Sequence, residues 1–310
     1  MREPTHPPTP RLQSLLWPLL LLALGGVALL LGLEAFPPAV ADLIGRAWPV
    51  ILVLAGLVVF LDQSGLRRWA APLAVLVSGA LLAGIIVVAY TSRASTERED
   101  NVVAIEQPIG PGVQRLVVMV QGLQTRVDIA PADREEPTIT GEFSGSIESE
   151  IEQDYAEEGG TARFTLRETR PSAIPALEAV GRGRLNVALP PGLPLELTLR
   201  NADGAAVLNL LGLEVTRLNI NIAAGDLLLS LPDTALEQPG DVVVTRGNVT
   251  LFVPDDLGLH LFVNGPVPQF AAADYLLDPS DGSYLSRNFD DFQTQMTLNL
   301  TVSSGSIRLE

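Results

Sequence analysis

The chain has 310 residues, a formal net charge of −16 and a hydrophobic share of 47%. It contains no Cys and no Lys, which excludes disulfides, thiolate nucleophiles, Cys-ligated metals and a Walker A lysine. The acidic balance argues against nucleic acid as a partner, because non-specific binding to phosphates needs a basic surface.

Charge is distributed unequally along the chain. Residues 1–90 hold five Arg and four acidic residues, whereas residues 91–310 hold 15 Arg and 32 acidic residues. The first part is rich in long apolar runs, and the second part is not. We therefore expect the first part to lie in a membrane and the second part to lie in water.

Three apolar segments are long enough to cross a bilayer as helices. They follow a short cytoplasmic tail, residues 1–11, and cover about 12–33, 43–61 and 70–90. A cleaved signal peptide is the alternative for the first segment. That segment is longer than the usual apolar core of a signal peptide and lacks an Ala-x-Ala cleavage site. The sequence thus predicts a multi-pass protein of the plasma membrane with the lipid bilayer as a partner.

Aromatic and basic residues flank these segments where a bilayer meets water. We expect aromatic side chains to rest among the headgroups and arginines to extend toward water. The expected anchors are Trp17, Trp48, Arg46, Arg67, Arg68 and Tyr90. Because Arg residues favour the cytoplasmic side, three spans leave the C-terminal part outside the cytoplasm.

The acidic part begins with a predicted linker at residues 91–112, which is polar and then rich in Pro and Gly. From residue 113 to 310, apolar residues alternate with polar ones, as Leu195, Leu197 and Leu199 alternate with Glu196 and Thr198. This period of two predicts strands with one buried face and one wet face. The region is therefore predicted to be all-β.

Glycines recur in this region at nearly constant spacing, as Gly183, Gly204, Gly225 and Gly247 show. A repeat of this length predicts a single right-handed β-solenoid, in which each unit packs on its neighbours. An antiparallel β-sandwich is the alternative. The terminal segment, residues 305–310, is predicted to be a strand that forms the last unit or pairs with another chain in self-association.

Acidic residues occupy every second position from Glu148 through Glu150 and Glu152 to Asp154. On a strand they would line one face, and such carboxylates are candidate ligands for Ca²⁺. A solvated acidic face is the favoured interpretation, because the side chains are too far apart to share one ion. No cofactor is predicted, and His260, which has no His or Cys partner, is expected to be an exposed surface residue.

No catalytic motif stands out in the acidic part. The Gly-x-Ser-x-Gly elbow of the α/β-hydrolases is absent. Abundant carboxylates could support glycoside hydrolysis, but no Trp follows Trp69 to form a platform for sugars. We therefore expect a protein that is not an enzyme.

Three short motifs mark the N-terminal part: Trp17-Pro18-Leu19-Leu20, Trp48-Pro49 followed by an apolar stretch, and Leu61-Asp62-Gln63-Ser64-Gly65. With these motifs, the N-terminal part resembles the LiaI/LiaF-like transmembrane region of bacterial cell-envelope stress proteins. The units Gly-Asp-Leu-Leu-Leu-Ser-Leu-Pro at 225 and Gly-Asn-Val-Thr-Leu-Phe-Val-Pro at 247 resemble the β-solenoid attached to such regions, known as the putative-adhesin or toast-rack domain.

The resemblance implies a function but supplies no catalytic residues. LiaF-like proteins restrain a membrane histidine kinase that responds to envelope stress. The expected role is therefore a membrane-anchored sensor or regulator that acts on such a kinase or on another membrane signalling protein. A surface structural or adhesin-like module without a signalling role is the alternative.

Overall fold

The structure, a computed structural model, describes residues 96–133, 137–171, 180–270, 275–278 and 280–310, with isolated helical positions at 84, 87, 90 and 91. The chain divides into two compact units, Met1–Thr96 and Glu97–Glu310. The three predicted spans lie outside the described residues apart from those isolated positions. Within the described part, no helix combines the length and the apolar character needed to cross a membrane.

The second unit is built from strands in two mixed sheets. One sheet has eight strands in the order β1-β4-β7-β3-β9-β11-β13-β18, and the other has ten in the order β15-β16-β14-β17-β12-β10-β8-β2-β6-β5. The strands are β1 Asn101–Pro108, β2 Arg115–Gly122, β3 Thr125–Pro131, β4 Thr138–Gly145, β5 Glu150–Glu158, β6 Thr161–Thr169, β7 Gly183–Leu189, β8 Leu195–Asn201, β9 Ala206–Asn209, β10 Val215–Ala224, β11 Leu227–Ser230, β12 Gly240–Arg246, β13 Val249–Phe252, β14 Leu257–Asn264, β15 Tyr275–Leu277, β16 Tyr284–Ser286, β17 Thr294–Ser304 and β18 Ile307–Leu309.

The predicted period of two is confirmed by burial. On β8, Leu195, Leu197 and Leu199 are buried, while the residues between them face outward. The same alternation runs through β2, β6, β10 and β17, and the buried side chains join one apolar core between the sheets. Burying each Leu, Ile or Val contributes about 1.5–3 kcal/mol, so this core is the main source of stability.

The predicted repeat appears as parallel pairing between corresponding positions of consecutive units. Leu227 on β11 lies opposite Ala206 of the preceding unit and opposite Val249 of the following one. Each of these three residues stands at the same place after its own turn glycine. On the other sheet, β10 pairs in parallel with β8 and with β12. From β8 to β13, one strand of each consecutive unit joins each sheet in chain order.

The order in space departs from the order in the chain on both sides of these units. The pair β2–β3 lies between β6–β7 and β8–β9, and β17 lies between β12 and β14. Antiparallel strands flank this arrangement, namely β1, β4 and β5 on one side and β15 and β16 on the other. An antiparallel sandwich therefore describes only the outer strands, since the central strands are parallel.

The predicted linker at residues 91–112 needs a correction. Its second half forms β1, which pairs along its whole length with β4 from Asn101–Gly145 to Pro108–Thr138. The Pro and Gly residues at its end suggested a connection, but Ile105 is buried in the core and holds the segment as a strand. The unit boundary accordingly falls between residues 96 and 97 rather than at 112.

The terminal segment joins the eight-stranded sheet within its own chain. Ile307, Arg308 and Leu309 pair in parallel with β13. On the other side of β18, the backbone N–H of Gln269 donates to the Ile307 carbonyl, and that of Leu309 donates to the Gln269 carbonyl. The terminal segment is therefore a strand that pairs within its own chain, and it is not the last in its sheet region because the Gln269 segment lies on its other side.

Turn glycines sit directly over one another where the chain passes from one sheet to the other. Gly225 has φ 138° and Gly247 has φ 148°, in a region that residues with a Cβ rarely adopt. A Cβ on Gly225 would lie 2.0 Å from the Gly204 carbonyl oxygen, and a Cβ on Gly247 would lie 1.9 Å from that of Gly225. The repeated glycines are thus required by backbone packed against backbone.

We expect Gly247→Ala to destabilise the second unit by more than about 2 kcal/mol, because the new methyl group meets a rigid carbonyl at a strained φ. Gly112→Ala is the matched control, since a Cβ there has no atom within 4 Å. Thermal unfolding of the two variants against the parent checks this. Equal melting temperatures for all three proteins would contradict the packing argument.

Candidate functional site

The predicted acidic series does not lie on one strand. Glu150, Glu152 and Asp154 alternate on β5 and are exposed, whereas Glu148 lies in the turn before it. The turn is closed by the Ser149 N–H, which donates to the Ser146 carbonyl at 2.9 Å. The expectation that all four share one strand face is therefore corrected for Glu148.

The acidic residues of β5 form a charged edge of the ten-stranded sheet. Glu152 lies directly opposite Arg167 of β6. Among the described residues, no group of three or more His, Asp or Glu side chains could hold a metal ion. Carboxylates along an edge strand discourage pairing with another chain, and this is the role that the geometry supports.

The predicted membrane anchors are almost all outside the described residues. Trp17, Arg46, Trp48, Arg67 and Arg68 belong to this group. The remaining anchor, Tyr90, is a half-buried position of a helix. Their role at a membrane surface stays a prediction.

A buried ion pair, which sequence reasoning missed, lies where β6 ends. Glu168 and Arg170 are joined at 3.1 Å between Oε1 and Nη2, and their side chains are only 1% and 7% exposed. Glu168 Oε2 accepts hydrogen bonds from the backbone N–H groups of Leu123 and Gln124, at 2.6 and 2.9 Å, and from Thr125 Oγ1 at 2.7 Å. The carboxylate thereby fixes the turn between β2 and β3.

Arg170 extends this network to two other segments. Its Nε donates to Ser149 Oγ at 2.8 Å, and its Nη2 donates to the Gly181 carbonyl at 3.1 Å. The pair therefore ties together β6, the β2–β3 turn, the β4–β5 turn and the segment just before β7. A sequence signal existed, because Glu168 continues the inward series of Phe164 and Leu166 and is thus a charge on the buried face.

His260, Ser283 and Asp281 form a second polar cluster. His260 Nε2 lies 2.9 Å from Ser283 Oγ, and Ser283 Oγ donates to Asp281 Oδ1 at 2.6 Å. The pKa of Asp281 is lowered, first by the Ser283 hydroxyl, then by the Ser283 backbone N–H, and further by the charge of His260. His260 is half-buried, which corrects the expectation of an exposed surface histidine.

This cluster has the residue types of a hydrolase triad but not its order. In a triad the histidine lies between the serine and the acid and removes the serine proton. Here the buried Ser283 lies in the middle and directs its proton to Asp281. The arrangement holds the segment that leads into β16 against β14, and it does not create a nucleophile.

Tyr155 and Glu157 meet near the end of β5. The Tyr155 hydroxyl donates to Glu157 Oε1, which also accepts the Gly110 N–H at 2.8 Å. Burial raises the pKa of Tyr155 to about 12, with help from the hydrogen bond to Glu157 and its charge. The Tyr155 hydroxyl and the Gly110 N–H lower the pKa of Glu157. These contacts link β5 to the loop between β1 and β2.

The outer face of β6, β2, β8 and β10 carries a concentration of positive charge, and we call it the arginine face. Its charged members are Arg115, Arg163, Arg167, Arg200, Arg217 and Glu196. Arg115 and Arg217 both pair with Glu196, at 3.1 and 3.5 Å. Arg163, Arg167 and Arg200 make no ion pair with any described residue, although the whole chain carries a net charge of −16.

A family model described as the N-terminal domain of toast_rack, DUF2154, matches residues 92–249. No curated protein matches the chain. The match covers β1 to β12, so the arginine face and the Glu168–Arg170 pair lie inside it.

Solved structures that are similar to the chain include two described as adhesion proteins. One is a putative cell adhesion protein from Clostridium sporogenes, with 16% identity and a TM-score of 0.58; the match covers 67% of this chain and 99% of that one. The other is a putative adhesin from Bacteroides fragilis, with 8% identity and a TM-score of 0.26, covering 70% of this chain and 100% of that one. Of these two, the first has a TM-score high enough to support a shared fold.

We expect Glu168→Gln to destabilise the second unit by about 3–5 kcal/mol, because it leaves Arg170 buried without an opposite charge. Glu310→Gln is the control. Its ion pair with Arg308 is 44% and 60% exposed, so removing it should change stability by less than about 1 kcal/mol. Urea unfolding of both variants measures the difference, and similar small effects would show that the buried pair is not a structural requirement.

Proposed function

Because the chain belongs to the toast_rack N-terminal domain family through residues 92–249, we propose that it is a membrane-anchored protein of the bacterial cell envelope that senses or regulates envelope stress. Its β unit acts by binding rather than by catalysis. The single observation that carries this proposal is the joining of a toast-rack β unit to an N-terminal part with three segments long enough to span a bilayer.

A binding role is supported by what the described polar clusters do. Glu168 and Arg170 are fully engaged with backbone and side chains, and Ser283 gives its proton to Asp281. Both clusters hold segments together. The arginine face, in contrast, leaves hydrogen-bond donors exposed on a rigid sheet, where a ligand or partner can reach them.

We propose further that the consecutive units from β8 to β13 are turns of a right-handed β-solenoid. The parallel pairing of corresponding positions and the stacked turn glycines support it. A solenoid segment keeps its outer faces flat and fixed. Such a surface suits the recognition of an extended ligand.

Regulation by this protein requires two arrangements that a ligand distinguishes. A ligand shifts such an equilibrium only as far as its affinities for the two arrangements differ. We propose that ligand binding to the β unit changes how the membrane segments contact a histidine kinase or another membrane signalling protein. Self-association of the protein is a second route to the same change.

The alternative is a structural or adhesive surface module without a signalling role. It is favoured by the fold shared with a putative cell adhesion protein from Clostridium sporogenes. Both candidates place the β unit outside the cytoplasm, and they differ in whether loss of the protein changes gene expression or attachment.

We expect protease added to intact cells to digest residues 97–310, because the Arg distribution around the apolar segments directs this part outward. Immunoblotting against a C-terminal tag follows the cleavage, and a cytoplasmic protein tested in parallel reports any lysis. Protection of the tag until the cells are lysed would place the β unit inside and contradict the proposed topology.

We expect deletion of the gene in its host to change expression of envelope-stress genes after treatment with a cell-wall antibiotic. The full chain should restore the parent response, whereas residues 1–96 alone should not, because they lack the sensing unit. An unchanged response in the deletion strain would contradict the regulatory role. Loss of surface attachment with an unchanged response would support the adhesive alternative.

A further inference from the structure

One row of residues across the strands of the arginine face contains two arginines that form no ion pair with a described residue. The strand register fixes the spacing between them. The backbone register sets Arg167 of β6 beside Gln121 of β2, Gln121 beside Arg200 of β8, and Arg200 beside Asn221 of β10. We call these four residues the donor row. Neighbouring strands are about 4.8 Å apart, so the two arginines are separated by roughly 9.6 Å at the backbone.

The donor row offers hydrogen-bond donors to solvent. Arg167, Arg200 and Asn221 are exposed, and Gln121 is half-buried. Arg167 Nε donates to Gln121 Oε1 at 3.2 Å, which leaves its two terminal nitrogens available and orients the guanidinium across the sheet. A guanidinium presents a planar fork that matches a carboxylate or a phosphate.

The adjacent row along the strands contains no charge from β6 to β10. It consists of Thr165, Met119, Thr198 and Asn219. The nearest outward-facing carboxylate on these four strands is Glu196, which already pairs with Arg115 and Arg217. An anion on the donor row therefore meets no free carboxylate of these strands.

Charge also sets the direction in which a ligand can extend. On one side of the donor row, β5 places Glu152 directly opposite Arg167 and Asp154 opposite Thr165. These exposed carboxylates repel an anion. On the other side, the row continues from β10 through Val243 of β12 to Thr301 of β17 in the same register. Asp241 of β12 lies beside this path, opposite Asn219 of the adjacent row, and its Oδ1 accepts a hydrogen bond from Asn299 Nδ2 at 2.9 Å. The path with fewer carboxylates beside it therefore runs from β6 toward β17, across the strands.

We propose that the donor row binds an extended anionic polymer, with carboxylate or phosphate groups held by Arg167 and Arg200. Hydroxyl groups of the polymer are held by Gln121 and Asn221 of the row and by Thr198 of the adjacent row. The polymer lies across the strands and away from β5. This inference rests on the proposed function, since it names the ligand class that the β unit binds. It accounts for unpaired arginines on one face of a strongly acidic protein.

Binding should be measured on the full chain in lipid nanodiscs of zwitterionic lipid. The probes are polygalacturonate, which carries carboxylates, polyphosphate, which carries phosphates, and neutral dextran. At about 0.15 M salt the Debye length is about 8 Å, so the net charge of the protein is largely screened while direct contacts persist. We expect one or both polyanions to bind, dextran not to bind, and affinity to fall as salt rises.

The variants Arg167→Gln and Arg200→Gln are each expected to weaken binding by about 5-fold, and the double variant by more than about 10-fold. Arg308→Gln is the control, because Arg308 is an exposed arginine on the outer face of the other sheet. It should leave binding unchanged. Glu152→Gln should tighten binding by about 2-fold, since it removes the carboxylate opposite Arg167.

The result decides between the sources of the negative charge. Preference for polygalacturonate assigns the site to carboxylate polymers, and preference for polyphosphate assigns it to phosphate polymers. Absence of binding by either polyanion, or equal loss with Arg308→Gln and Arg200→Gln, overturns the inference. Binding with an unchanged stress response overturns the regulatory role alone, and a changed response without polyanion binding overturns this inference alone.

Discussion

The close approach of one turn to the next is the constraint on which the fold depends. Gly204, Gly225, Gly247 and Gly305 bring backbone against backbone at one edge, and their positive φ values turn the chain from one sheet to the other. Because each turn lies over its neighbour, the strands that follow pair in parallel, and corresponding positions of consecutive units lie opposite each other. Alternate Leu, Val and Ile side chains then meet between the sheets, and polar side chains are left in straight rows outside.

The ends of the stack obey different rules from its middle. Between β8 and β13, units of nearly equal length stack in chain order. Next to β2 lies β6, whose connection to β7 is longer than the turns between the regular units. There the segments are held by the buried ion pair of Glu168 and Arg170 and not by a turn glycine. A charge with several partners can hold separate segments at once, which a turn glycine cannot do. The antiparallel strands beyond it then cover the last parallel pair.

The sequence predicted what depends on neighbours along the chain. The alternation in β8, β10 and β17 and the regular recurrence of the turn glycines are local patterns, and both are found. The order of the units in space could not be predicted from local patterns, because Val249 pairs with Ile307, a residue far from it in the sequence. The donor row was out of reach for the same reason, since Arg167 and Arg200 become near neighbours only when β2 lies between their strands. Glu148 was misplaced because its turn depends on a backbone hydrogen bond that alternation does not encode.

In the sheet, β17 lies between β12 and β14, although β17 follows β14 in the chain. The order in which these strands are synthesised therefore differs from their order in the sheet. A ribosome releases β14 well before β17, so β14 emerges when the strand that will separate it from β12 does not yet exist. Domains otherwise tend to fold as the chain appears, from the N-terminus onward. Here Leu257–Asn264 has no native parallel partner until β17 has been synthesised. This end of the sheet is therefore completed only after nearly the whole chain has been made.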